Sequence, residues 1–350
     1  MRPFRDIFRI MDFSQEFTAL VLFLQQFGLA IAGAAAMWGL YFFINGKSGE
    51  GEHHDTACAR LAEKMLIPYW IGFVIAFIGW SLKISSHWSI VAASRIGPLF
   101  ERLSTTTQGL LAATTSLWVL LFILTLAGIV MHVFFRKQLF RFLNIYYIAL
   151  LAFCFILISF PTGIEQWDID RLYFIRNGFP LIFTMGSVSI VDFIFFFTRP
   201  SLRTKRNIYP HLPNINKVVW IGLGISFLWE WTGLGRSQLT PQFYFVQTII
   251  AIAIINGTLF TGSLTQRLIA GVSERQVKPL DKWWVYVSEI SSIISFSCWS
   301  TITYLSFFSD LHLSYWFLIA LYVIKTVAVY LAFLLIEYLS DKPLSLVTTH

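Results

Sequence analysis

Apolar residues fall along this chain in runs of about twenty, separated by short polar connectors, and the runs fit the ~20-residue helix that crosses a ~30 Å hydrocarbon layer. The runs predict helices over roughly 18–45, 65–84, 109–134, 144–162, 178–198, 217–234, 243–262, 289–308 and 315–338. The first is long enough to tilt or protrude. The expected fold is therefore all-α, a polytopic transmembrane helical bundle of eight or nine spans. It divides into an amphipathic N-terminal segment (1–17), a single transmembrane helical domain (18–340) and a short C-terminal tail (341–350). Composition removes the soluble alternative, since 56% of residues are hydrophobic, 13% are charged and the mean hydropathy is +0.67. Met1 to Phe17 is charged throughout and carries no small-residue cleavage pattern, so no cleavable signal peptide is expected and the first span acts as its own insertion signal.

Charge sets the orientation. Lys and Arg stay preferentially on the cytoplasmic side. The odd-numbered connectors with the C-terminal tail hold sixteen of them, Arg199, Arg203, Lys205 and Arg206 among them, and the other side holds eight. With nine spans the N-terminus is outside and the C-terminus cytoplasmic, and the expected location is the plasma (inner) membrane. A second topology also fits. Phe4, Ile7, Phe8 and Met11 recur at helical spacing opposite Arg2, Arg5, Arg9 and Asp12, a short basic amphipathic helix of the kind that lies on an anionic cytoplasmic leaflet. That placement leaves eight spans and the N-terminus inside. The net charge of +7 matches membrane-surface loops, and no basic-aromatic pattern points to nucleic acid. Three widely separated cysteines, Cys58, Cys154 and Cys298, imply no disulfide framework.

Ionisable residues inside a span cost ~2.5–3.5 kcal/mol each at a helix centre and so mark candidate sites. Lys325 lies ten residues into the last span, ~15 Å deep, beyond the reach of its own side chain to the surface. It requires a partner or a water-filled cavity. Asp192, seven residues before Arg199, sits at a depth from which it can meet that ammonium, and Glu230 between Trp229 and Trp231 is the other carboxylate. Glu230 also reads as an interfacial acid among belt tryptophans. Asn256, followed by Gly257, is a buried amide that must hydrogen-bond across a helix interface. For the charged pair and the amide alike, helix-to-helix glue competes with a part in a transport or proton pathway.

Metal and haem chemistry has fewer candidates. His132 is the one histidine well inside a span, beside Met131, and bis-histidine haem needs a second that no span supplies. The first connector holds Glu50, Glu52, His53, His54, Asp55 and Cys58, with His54 and Cys58 at i, i+4, but the spacing matches no closed zinc motif. A solvated loop explains it equally. The chain has no Walker A lysine motif, no His-Glu-x-x-His and no Gly-x-Ser-x-Gly elbow, and its connectors are too short to fold as catalytic domains, so an enzyme is not expected. Gly222, Gly224, Gly233 and Gly235 loosen the sixth span, which fits either a cavity-lining helix or close packing.

Spans one and two, five and six, and seven and eight share a layout of two helices joined by a basic loop, with Trp70, Trp220 or Trp283 and Trp284 early in the second helix. That points to duplicated hairpins. Gly186 through Phe196 (GSVSIVDFIFF), Val219 through Leu223 (VWIGL), Ile254 through Gly257 (IING) and Ile290 through Ser300 (ISSIISFSCWS) give the region from Met185 to Phe308 a look similar to uncharacterised bacterial helical-hairpin membrane proteins, distantly similar to the copper-resistance D family. The resemblance covers about a third of the chain. It implies a hairpin fold and, at most, membrane redox or metal handling with haem or copper. The chain lacks the histidine that such hairpins often carry near the start of the fifth span. The leading expectation is translocation of a small solute or ion through a bundle with buried charges. The alternatives are a redox or metal-handling subunit using His132 with a methionine, or the His54 and Cys58 loop, or a non-catalytic accessory subunit. Expected partners are the lipid bilayer, other membrane subunits or further copies of the chain.

Overall fold

The computed structural model describes residues 13–47, 52–93, 107–159, 181–190, 211–233, 240–267, 282–305 and 313–341, and among these no strand occurs. The helices are α1 (Phe13–Lys47), α2 (Glu52–Lys64), α3 (Leu66–Ala93), α4 (Thr107–Phe134), α5 (Arg136–Ser159), α6 (Leu212–Gly233), α7 (Pro241–Leu259), α8 (Lys282–Leu305) and α9 (Tyr315–Asp341), with a π-helical turn at Leu181–Gly186. Six stretches are long and apolar enough to cross a membrane by length and composition: Leu20–Asn45, Cys58–Lys83, Thr115–Phe134, Arg136–Ile158, Pro241–Arg267 and Tyr315–Ala332. The expectation of eight or nine spans counts three further runs. Of these, 178–198 lies partly outside the described residues, 217–234 overlaps α6 up to Gly233, and 289–308 corresponds to the shorter apolar segment Ile290–Leu305 of α8, which serines interrupt.

The chain forms two compact units, residues 1–187 with 221–229, and residues 188–220 with 230–350. In the first, α1 is the central helix. Its small-residue stretch, with Ala30, Ala32, Ala34, Ala35 and Ala36 fully buried, lets neighbours approach on several sides. On α3 the glycines face α1 directly. A Cβ on Gly72 would stand 2.7 Å from the Ala32 nitrogen and one on Gly79 2.6 Å from the Gln25 nitrogen, so backbone meets backbone along an antiparallel seam. Bonding across the other faces is specific. Trp38 Nε1 donates to Ser187 Oγ at 2.9 Å, and the Tyr147 hydroxyl donates to the Ala62 carbonyl while its ring lies against Gly39.

Local sequence explains two sharp features. Pro68 has no N–H to offer the Lys64 carbonyl, and α2 passes to α3 through the single turn residue Met65. Only Phe135 separates α4 from α5, yet the Tyr146 hydroxyl reaches back to the Leu124 carbonyl at 3.3 Å, so the two helices fold into a hairpin. Tyr69 and Thr125 share a buried 2.7 Å hydrogen bond that ties α3 to α4.

In the second unit α7, α8 and α9 pack around Phe245, Ile249, Ala253, Cys298, Leu305, Leu318 and Tyr322. Thr240 caps α7 by accepting from the Phe243 N–H, and Pro241 follows at N1. Beyond Leu259 the helix widens, with the Thr265 N–H bonded to the Phe260 carbonyl five residues back. The outward faces are apolar to an extent that water does not tolerate: Trp316 is 76% exposed, Ile324 64% and Leu335 57% on α9, with Val133 and Ile123 similarly bare on α4. Such faces match hydrocarbon.

The glycine seam makes a direct prediction. Gly72→Ala is expected to destabilise the detergent-solubilised protein by about 1–3 kcal/mol, because its new methyl meets backbone that cannot swing aside. Gly224→Ala, where a Cβ meets nothing within 4 Å, is expected to leave the thermal midpoint unchanged or slightly raised. Equal loss in both variants would refute the seam.

Candidate functional site

The strongest polar constellation within the apolar helices gathers on α8 and α9. The sequence of α8 puts Ser297, Ser300 and Thr301 within about one turn, and the hydroxyls of Ser300 and Thr301 turn back on their own helix. Ser300 Oγ donates to the Phe296 carbonyl at 2.6 Å and Thr301 Oγ1 to the Ser297 carbonyl at 2.7 Å. With their protons committed inward, both hydroxyls present lone pairs outward. Lys325 fills that position from α9. Its Nζ lies 2.7 Å from Ser300 Oγ, 2.7 Å from Thr301 Oγ1 and 3.2 Å from the Ser297 carbonyl oxygen. Three acceptors meet the three protons of an ammonium group.

Every one of those acceptors is neutral. Among the described residues both ion pairs involve Glu63, in the first unit, and no carboxylate stands within ion-pair distance of Lys325. One turn before Lys325, the Tyr322 hydroxyl meets the Cys298 thiol at 3.1 Å, so α8 and α9 are joined at two successive levels. Ser297 adds an unspent group, a buried hydroxyl with no hydrogen-bond partner among the described residues.

A second polar node lies further toward the start of α8. Asn256 Nδ2 donates to the Ser291 carbonyl at 2.7 Å and to Ser295 Oγ at 2.8 Å, and Ser291 Oγ returns a bond to Asn256 Oδ1 at 2.9 Å. Both faces of the amide are satisfied. A Cβ on Gly257, next in sequence, would stand 3.4 Å from the Trp220 ring, and Trp220 Nε1 reaches Thr261 Oγ1 at 3.1 Å. Asn216 bonds Thr265 Oγ1 at 3.2 Å, which completes the link from α6 to the widened end of α7. From Ser291 to Thr301, α8 thus carries polar contacts along ten residues, ~15 Å of helix.

The remaining sequence candidates are placed as follows. Asp192 lies outside the described residues. Glu230 stands in the last turn of α6, its side chain outside what is described, as is the side chain of His54 on α2. Cys58, on the same helix, is a buried thiol in no disulfide. His132 lies in the last turn of α4 with its ring edge-on to Trp70 at 5.3 Å and its Nδ1 3.6 Å from Glu63 Oε1, longer than a hydrogen bond. Glu63 itself is gripped by Arg136 through both carboxylate oxygens, one bond at 2.7 Å from Nη2 and the other from Nε to Oε1. Among the described residues no three His, Cys, Asp or Glu side chains converge as a metal-ligand set.

Sequence reasoning passed over Glu63 and the α8 hydroxyls. Glu63 reads as one charge in a connector, 73 residues from its partner. The serine run was visible, yet which serines face which helix follows only from the packing. No family model, curated protein or solved structure matches the chain.

Replacing Asn256 with Leu is expected to cost about 1 kcal/mol, a typical interhelical polar contact between apolar helices. Thr258→Val removes an exposed hydroxyl that bonds only its own helix, to the Ile254 carbonyl, and is expected to change nothing. Thermal unfolding of both variants in one detergent checks the contrast, and matching midpoints would remove the node from the account.

Proposed function

We infer that the chain is an integral membrane bundle that binds and moves a small solute or ion, with Lys325 as its charged element. One observation carries the reading: a lysine ammonium held mid-helix in an apolar α9, whose hydrogen-bond partners among the described residues are hydroxyl and carbonyl oxygens. A cation at that depth is costly, and proteins keep such groups where they meet a substrate, an ion or a proton path. Pure structural glue needs no charge. The neighbouring Asn256 bonds its helix without one.

In this reading Asp192 is the acidic residue that shares the pathway with the ammonium, and Glu230 marks the end of the path. Eight or nine spans carry the pathway, with the C-terminus in the cytoplasm. The α8 serines supply exchangeable hydroxyls for a solute or ion that has shed water, the role that non-charged oxygens take in transporter sites.

The test is flux in proteoliposomes holding the full chain. Swelling and membrane-potential dye signals are recorded in iso-osmotic potassium chloride, sodium chloride, ammonium chloride and a panel of small neutral solutes. Wild-type protein is expected to carry at least one of these well above empty liposomes, and Lys325→Met with Asp192→Asn to reduce that flux by about tenfold or more. Indistinguishable traces from wild type, double variant and empty liposomes across the panel would overturn the proposal.

A further inference from the structure

A different surface, in the first unit, is charged rather than apolar. The end of α2 is amphipathic: Cys58, Leu61 and Ala62 are buried, while Arg60 and Lys64, one turn apart, are exposed. The start of α5 repeats the pattern, with Leu139 and Leu143 buried and Arg136, Lys137 and Arg141 exposed. Two contacts hold the two helix ends together. Glu63 clasps Arg136 with both oxygens, and Tyr147 bonds the Ala62 carbonyl. Five cations from connectors far apart in sequence are thereby gathered on one rim. Among the described side chains of these two helix ends the carboxylate is Glu63, which is already committed to Arg136.

Apolar rings interleave with the cations. Phe134 is 73% exposed and Phe142 52%, with Phe135 bare at the α4–α5 corner between them. Cations that alternate with exposed rings at the end of membrane-length helices are suited to a bilayer rim, where rings enter the acyl boundary and charges meet headgroups. A soluble anion needs the charges and has no use for the rings.

We propose that this rim, Arg60 and Lys64 with Arg136, Lys137 and Arg141, is a binding surface for the headgroup of an anionic phospholipid. The Glu63–Arg136 clasp sets its geometry. The inference rests on the chain being membrane-embedded and is independent of what, if anything, the bundle moves. Both connectors carry three Lys or Arg residues, and the preference of Lys and Arg for the cytoplasmic side, which does not depend on net charge, puts the surface on the cytoplasmic leaflet, where anionic lipid attracts each nearby basic residue.

The experiment counts lipids retained by the full-length protein in a neutral detergent, by native mass spectrometry, during titration with phosphatidylglycerol, phosphatidylcholine or inorganic phosphate. The wild type is expected to hold phosphatidylglycerol about tenfold or more tighter than phosphatidylcholine. Neutralising Arg60, Lys137 and Arg141 to Gln together spares the Glu63–Arg136 clasp and is expected to weaken phosphatidylglycerol binding by roughly a hundredfold, with phosphatidylcholine unchanged. If the triple variant fails to fold, Arg141→Gln and Lys137→Gln alone are each expected to weaken it about fivefold. Equal affinity for the two lipids, a preference that survives the substitutions, or displacement of lipid by phosphate at equal concentration each overturns the proposal. A chain that stays monodisperse without detergent overturns the membrane reading beneath it.

Discussion

A polar group carried into the interior of apolar helices must find its partner on protein, because hydrocarbon offers none. That constraint organises both units. It turns the α8 hydroxyls back onto their own carbonyls, spends all three ammonium protons of Lys325, and closes Asn256 onto two serines. In the first unit it pairs Tyr69 with Thr125 and sends the Trp38 indole N–H to Ser187. The helices are thus held by a small number of directed contacts set in surroundings that are otherwise apolar.

Close approach is the complementary device. Without a hydrophobic drive between helices in lipid, association depends on backbone proximity and on the directed bonds that proximity permits. Gly72 and Gly79 bring α3 against α1, and the flat alanine surface of α1 accepts the Leu181–Gly186 turn through Gly186. Aromatic rings fill what glycine opens, Tyr147 over Gly39 and Tyr146 over Gly128. The two units solve packing differently: small residues in the first, a cluster of Phe, Ile and Tyr with polar nodes in the second.

Much of the helical layout was legible because it depends on period and length alone. Predicted runs at 18–45, 109–134 and 315–338 overlap α1, α4 and α9 closely. The α5 run was placed late, at 144, because Arg136, Lys137 and Arg141 read as loop, whereas the helix begins at Arg136 and carries those charges on its exposed side. At Lys325 the sequence announced a buried charge and the need for a partner, and it drew attention to carboxylates, since opposite charge is the only partner visible in one dimension. The oxygens that surround the ammonium belong to serine, threonine and a peptide carbonyl, groups too common in the chain to stand out until helix packing selects three of them. Glu63 was hidden for a related reason: its meaning depends on a hairpin that brings Arg136 back to it.

The central claim is that the Lys325 cage is reachable from water and lies within the apolar bundle. Single cysteines at Ser297, Ser300 and Ile290, read against the wild-type background with a small water-soluble thiosulfonate reagent in intact proteoliposomes, test it directly. The account predicts that Ser300→Cys and Ser297→Cys react while Ile290→Cys, on the outward apolar side of α8, stays inert. If the two serine positions are as unreactive as Ile290, the cage is sealed and Lys325 only fastens α9 to α8.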